Sequence, residues 1–198
     1  MRNPIRLKNL RLRFLPYFLI GIAVIVLRRP PLEGFVLGTP FLLAGTALRS
    51  WAAGHLVKND SLTMTGPYAH LRHPLYLGTW LVATGFALIL GGYISLAVLA
   101  FVWPWFAFHY FPRKELAESM RLSALHGEVF TGYRAAVPAL WPRLRALDTA
   151  RSQAGRRDSR TEGGWRLERY SDNNELGTLL AIAVALLLLS IRAAWAGP

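Results

Sequence analysis

Residues 74–111 read PLYLGTWLVATGFALILGGYISLAVLAFVWPWFAFHYF, and they decide the fold. Two uncharged apolar runs, 74–90 and 93–111, are separated only by Gly91-Gly92. Each is close to the ~20 residues that a helix needs to cross a ~30 Å hydrocarbon layer. A two-glycine link leaves room for nothing but a tight antiparallel helical hairpin. Pro104, between Trp103 and Trp105, predicts a kink in the second helix.

Outward from this hairpin, three more apolar stretches stand out. Residues 35–57 are rich in small side chains such as Gly38, Ala44, Gly45, Ala47, Ala52, Ala53 and Gly54, which let helices approach closely in lipid. Residues 176–195 carry one charge, Arg192. Residues 14–27 carry none but are short, and flanking Arg11, Arg13, Arg28 and Arg29 can snorkel. A signal peptide is the rival reading for that stretch, but Arg28-Arg29-Pro30-Pro31 follows instead of a small-residue cleavage site. The expected fold is therefore all-α: a polytopic membrane protein of about five transmembrane helices, with a cytoplasmic helical segment.

Composition agrees. Hydrophobic residues make up 53% of the 198 and charged ones 17%, low for a soluble domain. The net charge of +12 invites a nucleic-acid partner, but the basic residues cluster between apolar runs. With the N-terminus in the cytoplasm, 19 Lys and Arg fall on that side and three on the other. If the long third cytoplasmic segment is discounted, the bias is still 7 to 3. The C-terminus then faces away. The Ala-, Leu- and Arg-rich composition points to a bacterial inner membrane. Cysteine is absent, which excludes disulfides, thiolate metal sites and a cysteine nucleophile. Residues 1–142 read as the main domain and 143–175 as a cytoplasmic linker, polar and Gly-containing over 152–164. Residues 176–195 read as a final helix.

Two stretches carry chemistry. The first, 65–78, reads TGPYAHLRHPLYLG. Gly66-Pro67 marks a turn, and Pro74 holds His73 extended and suits a first helical turn. Tyr68, His70, Arg72, His73 and Tyr76 thus crowd a helix N-terminus, where nearby Arg makes an anion site. An interfacial anchor would use the same residue types mechanically. The second, 114–142, places Glu115, Glu118 and Ser119 on one helix face and Leu116, Met120 and Leu125 on an apolar stripe. A solvated surface helix is its plain alternative. His70 and His73 lie three apart, but Pro74 disfavours the helix that would make them metal ligands, so no metal is expected.

Together the two stretches resemble the isoprenylcysteine carboxyl methyltransferase and phospholipid methyltransferase family of integral-membrane enzymes. The family's Gly-Pro-Tyr turn and Arg-His-Pro-x-Tyr-x-Gly run are Gly66-Pro67-Tyr68 and Arg72 to Gly78, a complete match. Its later pattern reads here Glu118-Ser119, Leu122, His126-Gly127, Phe130, Tyr133, Val137-Pro138 and Pro142. Ser119 departs from a Glu and His126 from a Phe. The resemblance covers about Arg49 to Pro142, with Arg49 and Trp51 echoing the family's second helix.

The resemblance implies S-adenosylmethionine as cofactor and a lipophilic acceptor reached from the bilayer. It implies cofactor contacts from Tyr68, Arg72, His73, Pro74, Tyr76, Gly78, Glu115, Glu118 and Ser119. Arg72 and the amides near Pro74 would meet the cofactor's carboxylate, and Glu118 its diol or ammonium. Tyr68, Tyr76 and Tyr133 would stack or face the sulfonium. Glu115, one turn from Ser119, would substitute for the missing carboxylate. His73 would fix the loop rather than act as base. Arg49 and Trp51 would contact the acceptor, with snorkelling the alternative for Arg49. Glu128, Tyr133 and Arg134 would lie near the reacting groups, although Glu128 and Arg134 also read as a solvated ion pair. Trp165, Arg166, Arg169 and Tyr170 read as an interfacial anchor or a lid. Carboxylate methylation is favoured over amine or thiol methylation. An NADPH-dependent sterol-type reductase is disfavoured, since its motif has Asn before the Tyr where Leu75 stands. A non-catalytic membrane anchor is kept open by Ser119.

Overall fold

A computed structural model describes residues 28–57, 62–147 and 164–195. Among these residues the chain is all helical, without strands. Helix α1 spans Leu32–His55, α2 Pro74–Leu90, α3 Gly92–His126, α4 Glu128–Ala136, α5 Leu167–Asp172 and α6 Glu175–Ala194. A 3-10 turn, Gly66–Ala69, precedes α2. The expected first span at 14–27, the N-terminal basic cluster and residues 148–163 of the linker lie outside the described residues.

Two described helices, α3 and α6, are long and apolar enough to cross a membrane. The expected count of five is not reached on that test. α2 has 17 residues, about 26 Å of helix, a little short of a hydrocarbon layer. α1 is long enough, but Glu33, Arg49, His55 and its glycines dilute its hydropathy.

The hairpin is where the sequence puts it. Gly91 and Gly92 both take positive φ (64° and 56°), which glycine adopts without steric cost. Trp80 packs on Trp103, and Tyr76 faces Tyr110 and Phe111, so α2 and α3 run antiparallel. The Trp103 indole donates to Thr84 Oγ1 at 3.1 Å. Pro104 does not break α3, nor does Pro112. Each is preceded by a π-helical turn, Val98–Val102 and Phe106–Tyr110. The wider turn shifts the hydrogen-bond register where proline has no N–H to give. The amphipathic stretch is therefore the end of α3 rather than a separate helix. Its stripe of Leu116, Met120 and Leu125 is exposed.

α1 packs antiparallel on α2 through small residues. A Cβ on Gly45 would lie 2.7 Å from the Gly78 carbonyl, and Gly38 abuts Gly85. Only glycine permits that approach. α6 leans on the pair through Leu189 against Leu42 and Ile89. A second core, Leu62, Met64, Phe130, Tyr133 and Val137, forms where α4 folds back beneath the loop before α2.

The segment read as linker, 143–175, is structured at both ends. Arg143 N–H donates to His70 O and Leu147 N–H to Ala69 O, which ties the chain through Leu147 to the first motif. Residues 167–172 form α5.

Candidate functional site

The first motif is shaped by local chemistry. Gly66 has φ +59°, and a Cβ there would sit 2.5 Å from the His55 ring, so glycine serves both the turn and the packing. Pro74 occupies the first turn of α2 and leaves His73 non-helical. His73, at φ −123° and ψ 60°, is non-helical but not the extended residue expected, and Arg72 sits in a bend, so their amides must find partners outside a helix. They donate to Pro138 O and Ala139 O at 2.9 and 3.0 Å. This corrects the expectation that these amides face the cofactor: backbone N–H groups left outside a helix pair first with the neighbouring stretch of chain.

Arg72 is the hub. Its Nη1 lies 2.6 Å from Glu115 Oε1, and its Nε donates to Val137 O at 3.1 Å. Ser119 Oγ donates to the same Glu115 oxygen at 3.0 Å. Burial pushes Glu115 up, but the hydrogen bonds from Arg72 and Ser119 outweigh it and hold the carboxyl below its ordinary value. The departure at Ser119 thus supports the carboxylate one turn earlier. Tyr133 Oη donates to the Tyr68 carbonyl at 2.8 Å, which locks α4 to the turn. Burial raises both phenols, so they stay protonated.

These groups surround a cavity of about 230 Å³. Tyr68, Arg72, His73, Glu118, Ser119 and Tyr133 line it, so residues from both motifs meet there. Leu56, Val57, Leu62, Thr63, Arg121, Leu122 and Phe130 complete the wall. His73 is buried and its Nε2 has no partner among the described residues. Desolvation, then the Arg72 charge, lowers His73 from 6.5 to about 4, so its ring is neutral near pH 7. Glu118 is half-exposed, its Oε2 3.7 Å from His73 Nδ1. Burial, opposed by Arg121, raises the Glu118 carboxyl.

A depressed base stabilises the fold above its unfolded pKa, and that stability is lost as pH falls through the folded value. For His73 the window runs from about pH 6.5 down to about 4. We expect denaturant unfolding at pH 7.5 and pH 5 to differ, with His73 contributing on the order of 2 kcal/mol over that interval. His73→Asn should flatten that slope; an unchanged slope would mean another group sets it.

Other expected residues lie elsewhere. Pro74 is buried at the start of α2. Tyr76 packs behind His73, 5.6 Å away, and against Phe111. Gly78 lies in the α1–α2 crossing, against Gly45 and Arg49. Arg49 is not at the cavity: it forms a two-pronged ion pair with Glu175 of α6, at 2.8 and 2.7 Å, and bonds Thr79. Trp51 is half-exposed, edge-on to His55. Glu128 is exposed, and Arg134 reaches no closer than 3.9 Å to Glu115. His70 bonds the Arg143 carbonyl, away from His73's partners. Trp165 and Arg169 bind the end of α1. The sequence reading missed the wall residues Leu56, Val57, Leu62 and Thr63, three of which are plain aliphatics with no site signal of their own. It also missed Glu175, whose signal was an acid opening an apolar run opposite a buried Arg.

Residues 34–119 match the family model described as phospholipid methyltransferase. A curated relative, the protein-S-isoprenylcysteine O-methyltransferase of Schizosaccharomyces pombe (strain 972 / ATCC 24843), is 29% identical over 133 residues. The match covers 65% of this chain and 54% of that protein, so the chain spans about half the relative's length. No solved structure matches. The family-model match takes in the whole first motif and ends at Ser119, before α4 and the C-terminal helices.

Proposed function

We propose, on the premise that the segment carrying the first motif belongs to the isoprenylcysteine carboxyl methyltransferase and phospholipid methyltransferase family, that this protein transfers methyl groups from S-adenosylmethionine to a lipophilic acceptor in a membrane. The observation that carries the reading is the cavity in which Tyr68, Arg72 and His73 meet Glu118, Ser119 and Tyr133. The membrane arrangement proposed is five spans with the N-terminus cytoplasmic. It is supported by the gathering of the α1 C-terminus, the α2 N-terminus, the polar end of α3 and the α6 N-terminus around one end of the bundle. Residues 1–142 form the methyltransferase unit in this reading, and 176–195 a further helix.

The residues fit the cofactor. The buried, unpartnered His73 Nε2 is a polar atom in want of a partner at the cavity. Glu118 offers a carboxylate to a diol or ammonium. When bound, S-adenosylmethionine supplies a methyl group already activated as a sulfonium. The chain's own residues then need only bind, orient and exclude water. Arg72 and Glu115 fix the loop that carries His73. Tyr68 and Tyr133 present aromatic faces suited to a cation. Neutral His73, with its depressed pKa, is a poor base. That favours an acceptor arriving already deprotonated, such as an isoprenylcysteine carboxylate, over an ammonium.

Calorimetric titration of the detergent-purified protein with S-adenosylhomocysteine tests this. Wild type should bind, and Glu118→Ala should weaken binding by about tenfold, a loss near 1.4 kcal/mol. A folded wild type that takes up no S-adenosylhomocysteine would sink the reading, and NADPH would be the next ligand tried.

A further inference from the structure

A helix leaves its last four carbonyls without intrahelical donors. At the end of α1 the donors come from a segment 112 to 120 residues downstream. The Trp165 indole donates to Ser50 O at 2.9 Å, and the Arg166 amide to Gly54 O at 2.9 Å. Asn173 Nδ2 donates to Ala53 O at 2.8 Å and Leu56 O at 3.0 Å. Arg169 reaches His55 O at 3.4 Å. Every carbonyl from Ala53 to Leu56 is thus met by residues 166–173. Gly54 lies directly under the Trp165 ring, where a Cβ has no room. Asn174, with φ 56°, then turns the chain into α6.

The end of α1 leads straight to the cavity. Leu56 and Val57 are in its wall, and the Val57 amide donates to Thr63 Oγ1 across the wall at 3.1 Å. The His55 ring rests on Gly66, which opens the turn carrying Tyr68. The C-terminal segment is therefore linked to the cavity by two routes, both through the end of α1, although it lies beyond the family-model match.

We propose that residues 164–175 are a clasp that holds the cavity wall, with Asn173 as the positioning residue. The value of that wall to catalysis rests on the function proposed above. The Asn173 amide faces three carbonyl oxygens, those of Ala53, Leu56 and Arg169, so only its NH2 end fits there. Its Oδ1 is buried without a partner. Leaving an acceptor unpaired costs stability, and an apolar side chain would avoid that cost. The amide is present for its donors.

The test uses the full chain in detergent. Melting temperature, S-adenosylhomocysteine affinity and amide hydrogen exchange at Leu56 and Val57 are measured for wild type, Asn173→Ala and Asn173→Asp. Asn173→Ala should speed exchange at those two amides by about tenfold while mid-α1 amides keep their protection. It should weaken S-adenosylhomocysteine by about tenfold. Asn173→Asp, isosteric but carrying oxygen toward the three carbonyls, should do more of both. A clasp that merely anchors α6 would lower the melting temperature and leave exchange and affinity unchanged, which overturns the proposal. If Asn173→Ala does not fold, Trp165→Phe removes one donor alone; unchanged exchange and affinity there overturn it equally. A wild type that ignores S-adenosylhomocysteine would defeat the proposed function, and exchange at Leu56 and Val57 would still decide whether Asn173 holds the wall.

Discussion

Arg72→Ala is expected to destabilise the fold by about 3–5 kcal/mol, the usual consequence of breaking a buried pair from one side. Arg72 and Glu115 keep only 10% and 15% of their side chains exposed. Without the guanidinium, Glu115 retains one hydroxyl donor, Ser119, and a distant Arg134. The Val137 carbonyl also loses its Nε partner. The loop before α2, the polar end of α3 and the chain after α4 would come apart together, and S-adenosylhomocysteine binding with them. Arg72→Lys should fall between, since one ammonium cannot serve both acceptors in the guanidinium's fork geometry. The pH profile gives a second check. Glu115 has a lowered pKa, so its contribution is present above its ordinary value of 4.5 and is lost as pH falls through the depressed one. That acid-side loss should vanish in Arg72→Ala. Glu118→Ala is the control: its carboxylate is half-exposed, so binding should weaken with little change in melting. An Arg72→Ala protein that melts like wild type would mean that the three segments are held by something else.

The parts of this site set by local chemistry were legible. Gly66, Pro67 and Pro74 dictate a turn, a non-helical His73 and a helix start, and the backbone obeys, although His73 at ψ 60° is not extended. Gly91-Gly92 dictates the hairpin. Long-range partners were not legible. Arg72 and Glu115 are 43 residues apart, and nothing in either stretch says they pair. The amides beside Pro74 read as free because sequence does not reveal that residues 138 and 139 lie alongside. The stretch from 114 read as separate from the 93–111 span because proline usually breaks helices; the π-helical turn that absorbs Pro112 leaves no sequence mark. Residues 165–170 read as an anchor or lid because Trp and Arg suit a membrane boundary equally well. Their use as donors to α1 depends on a fold-back of more than a hundred residues.

Arg49 shows how far a single buried charge can be pressed. An Arg within an apolar helix needs a partner, and the sequence offered the acceptor or snorkelling to solvent but not an acid of the chain itself. The partner is Glu175, with 4% of its side chain exposed against 16% for Arg49. Arg49→Ala would strand that carboxylate beside the bundle, at an expected cost of about 3–5 kcal/mol. Glu175→Gln should cost less, because the amide oxygen still accepts from the guanidinium and Thr79 and the Leu75 carbonyl still receive Nη1. Removing both charges should be milder than removing Arg49 alone. Arg49→Met with Glu175→Leu keeps volume and discards the desolvation of two ions, so most of the stability should return. Denaturant unfolding of wild type, Arg49→Met, Glu175→Leu and the double variant completes the cycle, and a favourable coupling of about 2 kcal/mol or more is expected. Additive losses would mean that the two side chains do not depend on each other. A double variant that folds well but still binds S-adenosylhomocysteine like wild type would confine Arg49 to joining α6 to α1 and α2. A double variant that folds well but leaves the acceptor unmethylated would return Arg49 to the acceptor's path.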